Sequence, residues 1–128
     1  MDKPKPKLLA IDDEPEVVEL LKHRLERAGY EVITATDGPD GLQKAITQKP
    51  NLILLDIMMP KMDGLAVLRR LKAEESTRKV PVILVTAKGE ISSIFEAEKY
   101  GATDYIIKPF QWEELLKFIK RYLAIYGD

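Results

Sequence analysis

Five short apolar runs, each followed by a helical pattern, constrain the fold of this chain more than any other feature. The runs are Leu8–Ile11, Glu31–Ala35, Leu52–Leu55, Val82–Val85 and Asp104–Ile107. Each is too short for a buried helix and is bounded by turn residues, so each reads as a strand. Leu52–Leu55 and Val82–Val85 are apolar at every position, as expected of parallel strands covered on both faces. Glu31–Ala35 alternates through Val32 and Thr34 and reads as a half-exposed strand.

The segments between the runs repeat with helical period. Between Glu14 and Ala28, residues Val17, Leu21, Leu25 and Ala28 share one face, and Gly29 follows as a stop. Pro39–Gln48 carries Leu42, Ala45 and Ile46. Gly64–Glu75 carries Leu65, Leu68 and Leu71 behind Asp63, a suitable N-cap. Glu90–Tyr100 carries Ile91, Ile94 and Phe95 and stops at Gly101; Gln111–Tyr126 carries Trp112, Leu115, Leu116, Ile119 and Leu123. Strand starts fall roughly 20–30 residues apart, the length of a βα unit. Five such units predict a parallel sheet with right-handed crossovers. A closed barrel needs eight, so the sheet is open and doubly wound. Sheets of that kind bind ligands beyond the carboxyl ends of their strands, where the strand order reverses.

Composition narrows the chemistry. At 128 residues the chain reads as one domain over 7–126, preceded by a flexible Lys/Pro lead-in at 1–6. It has no cysteine, which excludes disulfides, thiolate metal sites and a thiol nucleophile. One histidine, His23, cannot build a multi-histidine metal site. A formal charge of −1 offers no field for nucleic acid. No apolar run approaches the roughly 18 residues that span a membrane, and the first residues lack a signal-peptide core. The expected setting is the cytoplasm. The chemistry rests on carboxylates, hydroxyls and lysines.

Those groups gather at the ends of the runs. Asp12-Asp13-Glu14 follows the first, Asp56 the third, Thr86-Ala87-Lys88 the fourth and Lys108-Pro109-Phe110 the fifth. Thr36-Asp37-Gly38, after the second, adds only a turn signal. Taken singly, each has a plainer reading. An Asp after a strand is a turn or cap residue, Thr86 a turn hydroxyl, Lys108 a solvated charge and His23 a surface group. Taken together they converge on one edge of a parallel sheet. Like charges about 4 Å apart near a surface repel by about 4 kcal/mol, so a proton, a lysine or a hard cation must offset them. Magnesium, which uses one or two carboxylates with waters and a phosphate oxygen, suits this set.

With those residues in hand, the chain resembles the receiver domain of two-component response regulators. The matching pieces are Ile11-Asp12-Asp13-Glu14, Leu54-Leu55-Asp56-Ile57-Met58-Met59-Pro60 with Met62-Asp63-Gly64, Val85-Thr86-Ala87, and Asp104-Tyr105-Ile106-Ile107-Lys108-Pro109-Phe110. The likeness spans residues 7–124. It implies a flavodoxin-like, doubly wound, five-stranded parallel sheet of order 2-1-3-4-5 with five helices. Asp56 is then the phosphoacceptor. Mg²⁺ is held by Asp13 directly, by Asp12 partly through water, by Asp56, and by the backbone carbonyl of Met58. Lys108 pairs with Asp56 and then with the phosphoryl oxygens, Thr86 donates its hydroxyl to the phosphate, and Tyr105 is the switch aromatic. The Lys108–Pro109 bond is expected to be cis.

The resemblance also implies partners: a sensor histidine kinase or phosphotransfer protein as donor, and an effector protein or output domain as receiver of the signal. The responding surface comprises the fourth helix, fifth strand and fifth helix. The domain promotes its own phosphorylation and dephosphorylation without turning over an external substrate, and it binds neither nucleic acid nor membrane itself. Met58 and Lys88, each two residues beyond a site residue, flank the path of hydrolytic water. Apolar Met58 offers nothing to orient that water, so slow self-dephosphorylation is expected. In the last helix Phe118, Tyr122, Ile125 and Tyr126 form a second apolar stripe, read either as broad burial or as a surface for a partner or a phosphorylation-dependent homodimer. A nucleotide or flavin module would need a glycine-rich phosphate loop after the first strand, where this chain has acids. An aspartyl-phosphate phosphatase would carry D-x-D where Asp12-Asp13-Glu14-Pro15 stands. A receiver that no longer takes phosphate would be expected to have lost some of Asp13, Asp56, Thr86 and Lys108, and all four are present.

Overall fold

Each apolar run becomes a strand, and each helical pattern a helix, in a computed structural model that describes residues 4–59, 62–87 and 91–126. The strands are β1 (Lys7–Ile11), β2 (Glu31–Ala35), β3 (Leu52–Leu55), β4 (Val82–Ala87) and β5 (Asp104–Lys108), all parallel. The helices are α1 (Pro15–Arg27), α2 (Gly38–Gln48), α3 (Gly64–Ala73), α4 (Ile91–Lys99) and α5 (Trp112–Tyr126). The strand order is β2-β1-β3-β4-β5, as the resemblance implied. Among the described residues no helix is long and apolar enough to cross a membrane.

Side chains alternate across each strand, and that alternation divides the core in two. Leu8, Ala10, Leu52, Leu54, Ile83 and Val85 face α1 and α5, packing on Leu21, Leu25, Leu115 and Ile119. Leu9, Ile11, Ile53, Leu55 and Leu84 face α2, α3 and α4, packing on Leu42, Ala45, Leu68, Leu71, Ile94 and Ala97. The central strands are therefore buried on both sides, which explains why β3 and most of β4 lack polar residues.

Helix ends follow their local chemistry. Asp37 and Asp63 cap α2 and α3, accepting from the backbone N–H of Asp40 and of Ala66, each at 2.8 Å. Gly29 and Gly101, with φ of +103° and +99°, take the left-handed turns that stop α1 and α4.

Three details differ from the sequence reading. The inner stripe of α1 is Val18, Leu21 and Leu25, while Val17 is half-buried and Ala28 exposed. Adjacent valines lie about 100° apart on a helix, and only docking on the sheet selects between them. Phe95 is 65% exposed, and Ala97 takes the inner position on α4. Finally, β4 and β5 run further than their apolar cores, because the ladder continues through Thr86–Ile107 and Ala87–Lys108. Glu90, the expected first residue of the fourth helix, and Lys88 lie outside the described residues.

Candidate functional site

β1 and β3 lie side by side with Ile11 opposite Leu55, so the next residue of each reaches the same edge. The ladder extends into the acids themselves. Asp56 N–H donates to the Ile11 carbonyl at 2.9 Å, and Asp12 N–H donates to the Ala35 carbonyl at 3.1 Å. Asp12 and Asp56 are buried, and Asp13 is half-buried beside them. One carboxylate oxygen from each of Asp12, Asp13 and Asp56 lies within 4.8 Å of the others.

Each buried acid is tied at one oxygen to its own turn. Asp12 Oδ1 accepts from the Glu14 N–H at 3.0 Å, and Asp56 Oδ1 accepts from the Met58 N–H at 3.1 Å. The other oxygen of each faces Lys108, whose Nζ donates to Asp12 Oδ2 at 2.9 Å and stands 3.8 Å from Asp56 Oδ2. The resemblance paired Lys108 with Asp56; both contacts exist, and Asp12 holds the lysine more closely.

Electrostatics follow from that packing. Burial, with the charges of Asp12 and, to a lesser degree, Asp13, raises the Asp56 carboxyl to about 6, although Lys108 and the Met58 N–H pull the other way in part. Burial works against the Lys108 ammonium, but the hydrogen bond to Asp12 and the charges of Asp12, Asp56 and Glu14 outweigh it and raise its pKa. The site therefore carries a carboxylate that is costly to ionise and a lysine that stays charged.

β4 neighbours β3, with Leu84 opposite Leu55, so Thr86 lies at the same edge. It is fully buried, and among the described residues its Oγ1 has no hydrogen-bond partner. Leaving a buried hydroxyl unpaired costs about 1–3 kcal/mol, which a phosphoryl oxygen arriving at this edge would relieve. Tyr105 is on β5 opposite Leu84 and 44% exposed, beside a cavity of about 110 Å³ lined by Leu84, Ile94 and Glu98. The Met58 side chain is 55% exposed at the rim. The Lys108–Pro109 peptide is cis.

One supporting residue, Gly64, enters the sequence reading as a helix start and as part of the matching piece Met62-Asp63-Gly64, without a role at the site. Gly64 N–H donates to the Ile57 carbonyl at 2.7 Å, and a Cβ at this position would collide with the Asp56 carbonyl and Ile57 Cα. The loop that carries Asp56 is thus folded against the first turn of α3. The signal was available in Asp63-Gly64, a cap followed by a residue with no Cβ.

The donor set suits a hard divalent cation: three acids supply oxygen ligands, and the described residues place no cysteine or histidine among them. A flavodoxin-like sheet that gathers three acids and a lysine at its ligand edge fits a receiver-type signalling fold. The chain belongs to the response regulator receiver domain family, whose model matches residues 8–120. RpaA of Synechocystis sp., a DNA-binding dual master transcriptional regulator, is 42% identical over 118 residues, covering 92% of this chain and 49% of that protein. A putative response regulator from Chloroflexus aurantiacus has a TM-score of 0.89 at 35% identity, covering 94% of this chain and 99% of that one. The receiver domain of the Pseudomonas aeruginosa sensor histidine kinase PA1611, solved with a magnesium ion in its active-site cleft, has a TM-score of 0.87 at 29% identity, covering 94% and 99%. The chain spans about half the length of the curated relatives it matches. Response regulators pair with histidine kinases and with output or effector domains, and their receivers bind Mg²⁺ at an acidic pocket.

Proposed function

We propose that Asp56 accepts a phosphoryl group from the phosphohistidine of a sensor kinase or phosphotransfer protein, and that the acyl phosphate resets the α4-β5-α5 surface. The observation that carries this reading is Asp56 itself, a buried carboxylate at the sheet edge with Lys108 Nζ 3.8 Å away. An Asp56 oxygen attacks phosphorus, the P–N bond to the donor histidine breaks, and the imidazole leaves as the O–P bond forms. Lys108 offsets charge on the transferring group and moves with it, from the acids to the phosphoryl oxygens. Asp12, Asp13 and Asp56, with the Met58 carbonyl, would hold Mg²⁺, which when bound neutralises phosphoryl charge.

The new phosphate gives the Thr86 hydroxyl an acceptor, which it lacks among the described residues. Drawing Thr86 and its loop toward the edge vacates space that Tyr105 can enter, a two-state shift biased by charge at the site. The surface so altered controls an effector or an output domain; Ile125 and Tyr126, both exposed at the end of α5, extend it toward a protein partner or a phosphorylation-dependent homodimer. Residues 7–126 act as the receiver unit, with 1–6 as its lead-in, in the cytoplasm. The receiver catalyses only its own phosphorylation and dephosphorylation.

Incubation with Mg²⁺ and acetyl phosphate, followed by intact mass, tests the assignment. The parent gains about 80 Da, one phosphoryl group, in a base-labile adduct that Asp56→Ala lacks. No adduct, or an equal one in Asp56→Ala, overturns it.

A further inference from the structure

The amino ends of the strands, opposite the acid edge, carry a second concentration of charge. α3 ends at Ala73, and β4 and β5 begin at Val82 and Asp104. A cleft of about 830 Å³ lies there, to which Lys72, Arg78 and Lys79 bring charge and Tyr122, Ile125 and Tyr126 of α5 bring apolar surface. Among the described residues no carboxylate lines it, and none of the three cations makes an ion pair. Lys72 is half-buried, and its Nζ donates to the carbonyls of Arg78 at 3.1 Å and Val80 at 2.8 Å. An ammonium has three N–H groups, so one is left for a ligand. Burial lowers the Lys72 pKa, as expected of a charge withdrawn from water with no counter-ion. Arg78 and Lys79 are exposed, and neither side chain has a hydrogen-bond partner among the described residues.

Three positive charges without an answering acid call for a polyanion, and the tyrosines narrow its kind. Tyr126 is 53% exposed, and its ring stacks on that of Tyr122 with centroids 6.4 Å apart and planes at 26°. The Tyr122 hydroxyl is held by Asp104, which fixes the ring that backs Tyr126. A flat, exposed ring beside cations suits a base joined to phosphates, since bases stack on aromatic side chains while lysine and arginine take the phosphoryl oxygens. A peptide of aspartate and glutamate would match the charge and leave the rings uncovered. The volume of the cleft is that of a small-molecule site. We propose that this cleft binds a purine nucleotide carrying two or more phosphates, with the base on Tyr126 and the phosphates among Lys72, Arg78 and Lys79. The site lies at the opposite end of the sheet from Asp56 and requires neither its phosphorylation nor Mg²⁺.

Equilibrium dialysis of the full chain against ADP and against GDP tests it, with EDTA present so that no metal bridges nucleotide to the acid edge. At least one of the two should bind, and more weakly as salt rises. Arg78→Ala with Lys79→Ala should weaken binding by about tenfold or more. Tyr126→Ala should weaken it by about fivefold or more, while Tyr126→Phe keeps the ring and the parental affinity. Pyrophosphate and a hexaglutamate peptide should each bind at least about tenfold more weakly than the nucleotide, because neither covers the ring. Circular dichroism of each variant shows that it is folded. No binding of either nucleotide up to millimolar concentration, or an affinity indifferent to the double variant or to Tyr126→Ala, overturns the proposal. So does pyrophosphate or the peptide binding as tightly as the nucleotide, which would make the cleft a site for anions in general or for acidic peptides.

Discussion

Asp56 carries its charge against the preference of its surroundings, and that sets the pH behaviour of the metal-free protein. Its folded pKa of about 6 lies above the ordinary value of 3.8, so the folded state binds the proton more tightly than the unfolded chain does. Below about pH 4 both states are protonated and Asp56 costs nothing. Stability then falls as pH rises toward 6, and above that the penalty is fully present, on the order of 1–3 kcal/mol. Asp56→Asn should therefore stabilise the metal-free protein by about that amount at pH 7.5 and by little at pH 4. Urea unfolding at the two pH values measures it, and an equal gain at both would contradict the assignment of the shift to burial and to Asp12. Met58, exposed at the rim, bears on a second prediction, the lifetime of the phosphorylated form. Met58→Asn supplies an amide that can orient water, so the phosphorylated form should lose its label several-fold faster, followed by intact mass over time; a loss no faster than the parent's would refute that role. At this scale the acids, Thr86 and Lys108 were legible because each follows an apolar run. The closer pairing of Lys108 with Asp12 was not, since it depends on where β5 sits across the edge.

The loop between β3 and α3 shows how an element holds the site. Gly64 lets backbone meet backbone beside Asp56. Gly64→Ala should cost about 1–3 kcal/mol by overpacking and should slow phosphorylation by acetyl phosphate as well. A variant with parental urea midpoint and parental rate would show that the close approach is unimportant. The last helix divides along its second stripe. Phe118 and Tyr122 are half-buried, with the Tyr122 hydroxyl donating to Asp104 at the head of β5, while Ile125 and Tyr126 are exposed. That hydrogen bond raises the Tyr122 pKa, and burial adds to it. Element order and type followed from periodicity, because βα units announce themselves by run length. Helix faces were less legible: Val17 against Val18, and Phe95 against Ala97, were settled by contact with the sheet.

For the whole molecule, the clustered acids predict that Mg²⁺ binds the folded chain and not the unfolded one. At a hundredfold excess over Kd, such a ligand adds about 2.7 kcal/mol to stability. Thermal unfolding with and without Mg²⁺ should show that gain in the parent and its loss in Asp13→Ala; a Ca²⁺- or Mg²⁺-independent melting temperature in the parent would count against the metal site. The sequence by itself determined the number and kind of elements, the open parallel sheet and the strand ends that bear chemistry, because period and run length are local consequences of covering a strand on two faces. Only the tertiary structure decided which acid holds Lys108, that the Thr86 hydroxyl lacks a partner among the described residues, and which face of α1 is inward. Those properties depend on distances between residues far apart in the chain, and Coulomb and hydrogen-bond energies change steeply over an ångström, whereas periodicity does not.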